Sequence, residues 1–79
     1  MPIFYLNIAT RQTIIKDNEG TDVADLAAAR VEAIKDARGL MSAAILQGRD
    51  ISSRHIEICD AHGHHLLKVP FSDAYEPSD

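Results

Sequence analysis

The sequence has 79 residues, with 8 Lys and Arg against 12 Asp and Glu, and a formal net charge of −4. This length is typical of one small domain, and the acidic balance excludes the basic stripe that nucleic-acid binding requires. One cysteine excludes an internal disulfide and favours a reducing cytosol. The chain shows no signal-like start and no run of about 18 apolar residues, so we expect a cytoplasmic protein that does not enter a membrane.

Two short strands are predicted before a long helix. In residues 3–9, Phe4, Leu6 and Ile8 alternate with less apolar residues, which is the period of a half-buried strand. Residues 13–16 form the second strand, which ends at the turn-forming residues 17–20.

The predicted helix covers residues 22–47, a stretch dense in alanine and leucine. Asp22 or Asp25 is placed to cap its start, and Gly48 is placed to end it at the C′ position. Gly39 falls on the polar side, so we expect a continuous helix, with a break there as the alternative. At about 100° per residue, the apolar face collects Val23, Leu26, Ala29, Ala33, Ala37, Leu40, Met41 and Ala44.

Arg30 projects from the middle of this apolar face. One interpretation is an arginine whose stem covers the core while its head reaches solvent. The other is a buried ion pair, because an unpaired buried guanidinium costs too much. The candidate partners on a facing strand or loop are Asp60, Asp17 and Asp73.

A second pair of strands follows the helix. Residues 54–59 and 64–69 alternate in the strand period and flank a hairpin turn in which Gly63 needs a positive φ. Ile51, in the loop before them, is expected to point inward. Residues 73–79 are expected to be an acidic, flexible tail.

These elements predict an α+β fold of ββαββ order. A four-stranded, mainly antiparallel sheet carries one long amphipathic helix on one face, and a single domain covers residues 1–72. If the second hairpin pairs with the first strand, the sheet is wholly antiparallel; a right-handed crossover to a parallel neighbour is the alternative. The other sheet face, wet or covered by a partner, would show Tyr5, Asn7, His55, Glu57 and Cys59.

The order of motifs resembles a known family. Asp17-x-Glu19-Gly20-Thr21 is followed by Asp25-Leu26-x-Ala28-Ala29-Arg30-x-Glu32-Ala33, by Gly48-Arg49-Asp50-Ile51-Ser52, by Ile56-Glu57-Ile58-x-Asp60-x-x-Gly63 and by Val69-Pro70-Phe71-Ser72-Asp73-Ala74. This resembles a domain of unknown function that occurs in small uncharacterised proteins of proteobacteria, frequently rhizobia-like ones. The resemblance covers nearly the whole chain and implies no activity, cofactor or catalytic residue.

The second hairpin gathers the side chains that could bind a metal. His55, Cys59, His62 and His64 lie on it, and imidazole and thiolate are good ligands for zinc, copper or nickel. Their spacing matches no established zinc signature, so solvated histidines are the competing interpretation, and we expect no cofactor. Four clustered histidines also predict a pH response.

An enzyme and an interaction domain are the other two hypotheses. With Met1 removed, Pro2 would be an N-terminal amine like the general base of small tautomerases, whose opening strand this one resembles. In those enzymes a helix follows the first strand directly, whereas here a hairpin intervenes. A thin core, an open sheet face and edge strands favour instead a non-catalytic protein-interaction or regulatory module, with a protein partner or a homodimer.

Overall fold

The computed structural model describes residues 2–78 and confirms an α+β fold, with one helix packed against an open antiparallel sheet. No helix in this range is long and apolar enough to cross a membrane. The elements are β1 (Ile3–Ala9), β2 (Ile14–Ile15), β3 (Thr21–Asp22), α1 (Leu26–Leu46), β4 (His55–Cys59), β5 (His65–Pro70) and a 3₁₀ helix (Phe71–Ala74).

β1 lies inside the sheet, whose strand order is β2-β1-β4-β5. The second hairpin pairs with the first strand, with Leu6 opposite Ile58, so the wholly antiparallel alternative is the one observed. β3 was not predicted. It pairs with the start of β1, where Phe4 lies opposite Thr21. Residues 16–20, which we call the bulge, connect β2 to β3.

The helix starts later than predicted because Asp22 belongs to β3. Asp25 is the N-cap, and its Oδ1 accepts a hydrogen bond of 2.8 Å from the backbone N–H of Ala28. The predicted C′ role of Gly48 is confirmed: its φ is +77°, and it donates to the carbonyl of Ile45 while Arg49 donates to that of Ala44. The helix is continuous through Gly39.

Small side chains bring the helix close to the sheet. Ala29, Ala33 and Ala37 are fully buried in one core cluster with Ile56 and Ile58 of β4. The predicted helix face is therefore right at its centre. It is wrong at Leu40, which is 39% exposed, whereas Ala44 in the last turn is buried in the same core cluster. Ile45 and Leu46, which follow Ala44, are exposed.

The chain after β5 stays packed for longer than predicted. Phe71 and Ala74 of the 3₁₀ helix are buried, and Arg38 Nε of α1 donates a 2.7 Å hydrogen bond to the carbonyl of Ala74. The predicted boundary at residue 72 therefore cuts through a packed element. Residues 75–78 are exposed, and their flexibility stays a prediction.

We expect Ala33→Leu to lower the free energy of unfolding by about 1–3 kcal/mol, because the added methylene groups have no space between helix and sheet. Ala27→Leu is the matched control: Ala27 is exposed on the same helix, so its change should stay within about 0.5 kcal/mol. Urea unfolding measures both. Equal effects of the two substitutions would show that close helix packing does not limit stability.

Candidate functional site

The sheet face opposite the helix is less open than predicted. Cross-strand pairs place Tyr5 beside Cys59 and Asn7 beside Glu57. Asn7 is only 6% exposed and Cys59 only 3%, so the expectation of a solvated face is wrong at both positions. The Nδ2 of Asn7 donates to the Sγ of Cys59 at 3.6 Å. We call this surface, formed by Tyr5, Asn7, His55, Glu57 and Cys59, the polar face.

Asp17 completes the polar face from the bulge between β2 and β3. Its Oδ2 accepts a 3.0 Å hydrogen bond from the backbone N–H of Leu6, and its Oδ1 accepts from the N–H groups of Glu19 and Gly20. The backbone N–H of Asp17 donates in turn to Oδ1 of Asn7 at 2.9 Å. The side chain of Asp17 thus accepts a hydrogen bond from a β1 backbone group that no neighbouring strand pairs on that side.

The bulge also requires glycine at position 20. Gly20 has a φ of +78°, and a Cβ there would lie 2.5 Å from Cγ2 of Ile3. The Asp17-x-Glu19-Gly20 segment of the resemblance is therefore a structural feature that holds β1.

Hydrogen bonding changes the acidity of Asp17. Burial raises the pKa of its carboxyl, but the three backbone N–H donors lower it by more, so its pKa lies below the ordinary value. Asp17 thus stays charged at neutral pH and is already occupied by the backbone. It is not the partner of Arg30 that the sequence offered.

His55 of the polar face and His65 of β5 share one carboxylate. Nε2 of His55 lies 3.2 Å from Oε2 of Glu57, and Nδ1 of His65 lies 3.7 Å from Oε1 of the same side chain. Glu57 lies on β4, between β1 and β5, and is half-buried. Glu57 was not predicted as a partner of these imidazoles.

Asp60 organises the turn between β4 and β5. Its Oδ1 accepts from the backbone N–H groups of His62 and His64, and its Oδ2 lies 3.0 Å from Nδ1 of His64. The hydrogen bond from the His64 backbone is the main reason why the pKa of Asp60 is lowered. Gly63 has the predicted positive φ, at +83°.

The structure separates the four candidate metal ligands instead of bringing them together. Cys59 contacts Asn7, and His55 contacts Glu57, while His62 and His64 lie in the turn with ring centroids 6.1 Å apart. Within residues 2–78, no group of three or more His, Cys, Asp or Glu side chains could hold a metal ion.

Arg30 and Asp60 do not form the buried ion pair that one interpretation offered. Arg30 is exposed on α1, and Asp60 interacts with His64 instead. The alternative, a guanidinium that reaches solvent, agrees with the exposure. Asp73, the third candidate partner, is exposed in the 3₁₀ helix.

Pro2 lacks the surroundings that a proline base needs. The residue is exposed, and its carbonyl accepts a hydrogen bond from the backbone N–H of Val23 at 3.3 Å. A proline base in small tautomerases has its pKa lowered by an apolar pocket, and an exposed Pro2 has no such enclosure.

A groove that the sequence analysis missed lies at the C-terminal end of the helix. It has a volume of about 520 Å³ and runs between α1, the loop after it and the segment after the 3₁₀ helix. Ile51 lies buried in it, as predicted for this residue, and Met41 is half-buried. Its remaining walls come from Arg38, Ser42, Ile45, Arg49, Asp50, Ser52 and Tyr75.

Exposed apolar side chains surround this groove. Ile45 is 63% exposed, Leu46 is 86% exposed and Tyr75 is 52% exposed. We call the surface formed by Arg38, Ile45, Leu46, Arg49 and Tyr75 the C-terminal patch. Its signals in the sequence are Ile45, which helical periodicity places at the edge of the apolar face, and Tyr75, which lies in the predicted tail.

We expect Asp17→Asn to lower the free energy of unfolding at pH 7 by about 1–3 kcal/mol, because an amide presents one neutral oxygen to three N–H donors. Since the pKa of Asp17 is lowered on folding, its contribution is complete above the unfolded-state value of about 3.9 and is lost as the pH falls through the folded-state value. Urea unfolding from neutral to acidic pH measures this trend.

Glu19→Gln is the matched control, because Glu19 is an exposed carboxylate of the same bulge. It should leave stability nearly unchanged at every pH. A loss in Asp17→Asn that is as large at acidic pH as at neutral pH would contradict a role for the charge.

The comparisons with known proteins place the chain in a family. Residues 3–72 match the model of the family described as a domain of unknown function, DUF6894. Neither the curated proteins nor the solved structures give a match. The match does not bear on bacterial group, so the proteobacterial origin stays a prediction. Because the matched range covers most of the chain, the protein belongs to the DUF6894 family, a domain of unknown function, as the order of its motifs indicated.

Proposed function

We propose that this domain is a non-catalytic protein-interaction module that docks through the C-terminal patch. The observation that carries the proposal is the exposure of Ile45 and Tyr75 on a groove of about 520 Å³, with the exposed Leu46 next to Ile45 in the chain. Clustered apolar side chains at the rim of a groove favour burial against another protein, because each Å² removed from water contributes about 25 cal/mol.

Hydrogen bonds support both sides of the groove in the unbound chain. The two hydrogen bonds made by Gly48 and Arg49 to the last helical carbonyls set the path of the loop after α1. On the other side of the groove, the hydrogen bond from Arg38 to Ala74 holds the segment that carries Tyr75. A rigid surface loses little conformational entropy on binding, which supports a docking role.

The chemistry of the groove supports binding rather than catalysis. Within the described chain, its lining includes no histidine or cysteine. Its carboxylate, Asp50, accepts a hydrogen bond from the Ser52 backbone, which lowers the pKa of Asp50 and makes it a weaker base. Arg38 and Arg49 are binding groups and not proton-transfer groups at neutral pH.

A metal-binding function through the hairpin and a tautomerase function through Pro2 have less support. Cys59 contacts Asn7, His55 contacts Glu57 and His64 contacts Asp60, and Pro2 is exposed. The acidic net charge favours a protein partner over a nucleic acid, and the single cysteine favours a cytoplasmic location.

Photo-crosslinking tests the proposal. We expect p-benzoylphenylalanine in place of Leu46, irradiated in cells that make the full chain, to form an adduct with one defined segment of one protein, which peptide mass spectrometry identifies. Leu46 is nearly fully exposed, so the replacement leaves the fold intact. An added Ile45→Asp substitution should abolish the adduct, because it places a charge in the apolar contact.

Val31 provides the matched control position. It is an apolar residue of the same helix and is 52% exposed, but it lies near the opposite end. The crosslinker at position 31 should give no defined adduct. Equal adduct yields at positions 31 and 46, or a yield at 46 that Ile45→Asp does not change, would overturn the proposed function.

A further inference from the structure

The C-terminal patch carries both signs of charge at one place. Arg38 and Arg49 line the groove, and Tyr75 lines it as well. Tyr75 is followed directly by Glu76, and Asp73 lies one residue before the buried Ala74. Asp50 lines the groove as well, so both signs of charge lie at the same exposed apolar surface.

The two arginines keep hydrogen-bonding capacity for a partner. Arg38 uses its Nε for the carbonyl of Ala74, and Arg49 uses one terminal nitrogen for Oε1 of Gln47, at 3.1 Å. A guanidinium has five N–H donors, so most of them remain unused on both side chains within the described residues. Glu76 is exposed and has no ion pair in the same range.

The acidic residues stay near the groove because the segment is anchored. Phe71 and Ala74 are fully or nearly fully buried, and the hydrogen bond from Arg38 fixes the chain just before Tyr75. Glu76 is the next residue after Tyr75, which lines the groove together with both arginines. This arrangement leaves both signs of charge available on one surface.

Building on the proposed function, we propose that the partner on the C-terminal patch is a second copy of this chain. Two copies related by a two-fold axis present the same patch to each other, so the patch must complement itself. Here the arginines of each copy meet Glu76 of the other, while Ile45, Leu46 and Tyr75 pack around the axis. The charge pairs form twice in such a dimer.

A partner of one charge sign fits this patch less well. A purely acidic segment would pair with Arg38 and Arg49 but would lie against Asp73 and Glu76, and a basic one would have the reverse conflict. A second copy provides partners for both the arginines and the acidic residues of the patch. It also adds buried surface to a chain that alone buries only about 60% of its unfolded surface.

Sedimentation equilibrium of the untagged full chain tests the inference. We expect the wild-type protein to be a dimer and Arg49→Glu to weaken the dimer at least about tenfold in Kd, because the new glutamate opposes Glu76 in both symmetric contacts. Glu76→Arg should weaken it similarly. Combining the two substitutions should restore most of the affinity, because the pair is then reversed rather than broken.

Arg30→Glu is the matched control. It makes the same change in net charge on an exposed arginine of the same helix, about 24 Å from Leu46 and about 12 Å from Arg38 at 1.5 Å per residue, and should leave the dimer unchanged. Circular dichroism of each variant checks folding, which the exposed positions of Arg49 and Glu76 should preserve.

Three results would overturn the inference. One is a wild-type protein that is monomeric even at about 1 mM, and another is a dimer that Arg49→Glu and Ile45→Asp both leave intact. The third is a double charge reversal that is no tighter than the single ones. If the protein is a monomer and the crosslink at position 46 maps to another protein, the dimer is refuted and the proposed function stands. If the protein is a monomer and no such crosslink forms, both the dimer and the proposed function are refuted.

Discussion

The interior strand β1 has no continuous neighbouring strand on one side. In the middle of that side, the carboxylate of Asp17 accepts the hydrogen bond of a β1 backbone N–H group. Backbone N–H groups of a buried strand need acceptors, and β2 and β3 supply them only at the two ends of β1. Between them, Asp17 accepts from Leu6 and donates its own N–H to Asn7. This side-chain pairing keeps Asn7 buried on the polar face, where it contacts Cys59. In residues 2–78, no buried side-chain N or O atom lacks a hydrogen-bond partner.

The polar face is consequently part of the structural framework. Cys59 is buried and contacts Asn7, while His55 and His65 interact with Glu57 and His64 interacts with Asp60. A cluster of chemically interesting side chains in the sequence thus becomes a set of separate contacts in the fold. Among the described residues, the most exposed large apolar side chains, Leu46 and Ile45, lie instead at the C-terminal end of the helix, at a groove that Arg38 and Arg49 also line.

The sequence predicted those parts of the fold that depend on local pattern. Alternation identified β1 and the core side of β4, and the positions of Gly48 and Gly63 correctly predicted a helix end and a turn. It did not predict β3, because Thr21–Asp22 is too short for a periodic signal and Asp22 is also a good helix cap. The burial of Asn7 was missed because it depends on Asp17, which lies ten residues later in the chain. The C-terminal patch was missed because helical periodicity places Ile45 at the edge of the core face. Only the three-dimensional structure shows that the buried face of the helix ends at Ala44.

The central claim is that two copies of the chain associate through the C-terminal patch and not through the polar face. Backbone amide NMR spectra of the ¹⁵N-labelled full chain, recorded over a dilution series, test this claim most directly. The account predicts that the signals of Leu46, Arg49 and Tyr75 shift with concentration while those of Asn7, Cys59 and His64 stay fixed. Shifts confined to the polar face and the hairpin turn, or no shift at any residue, would contradict it.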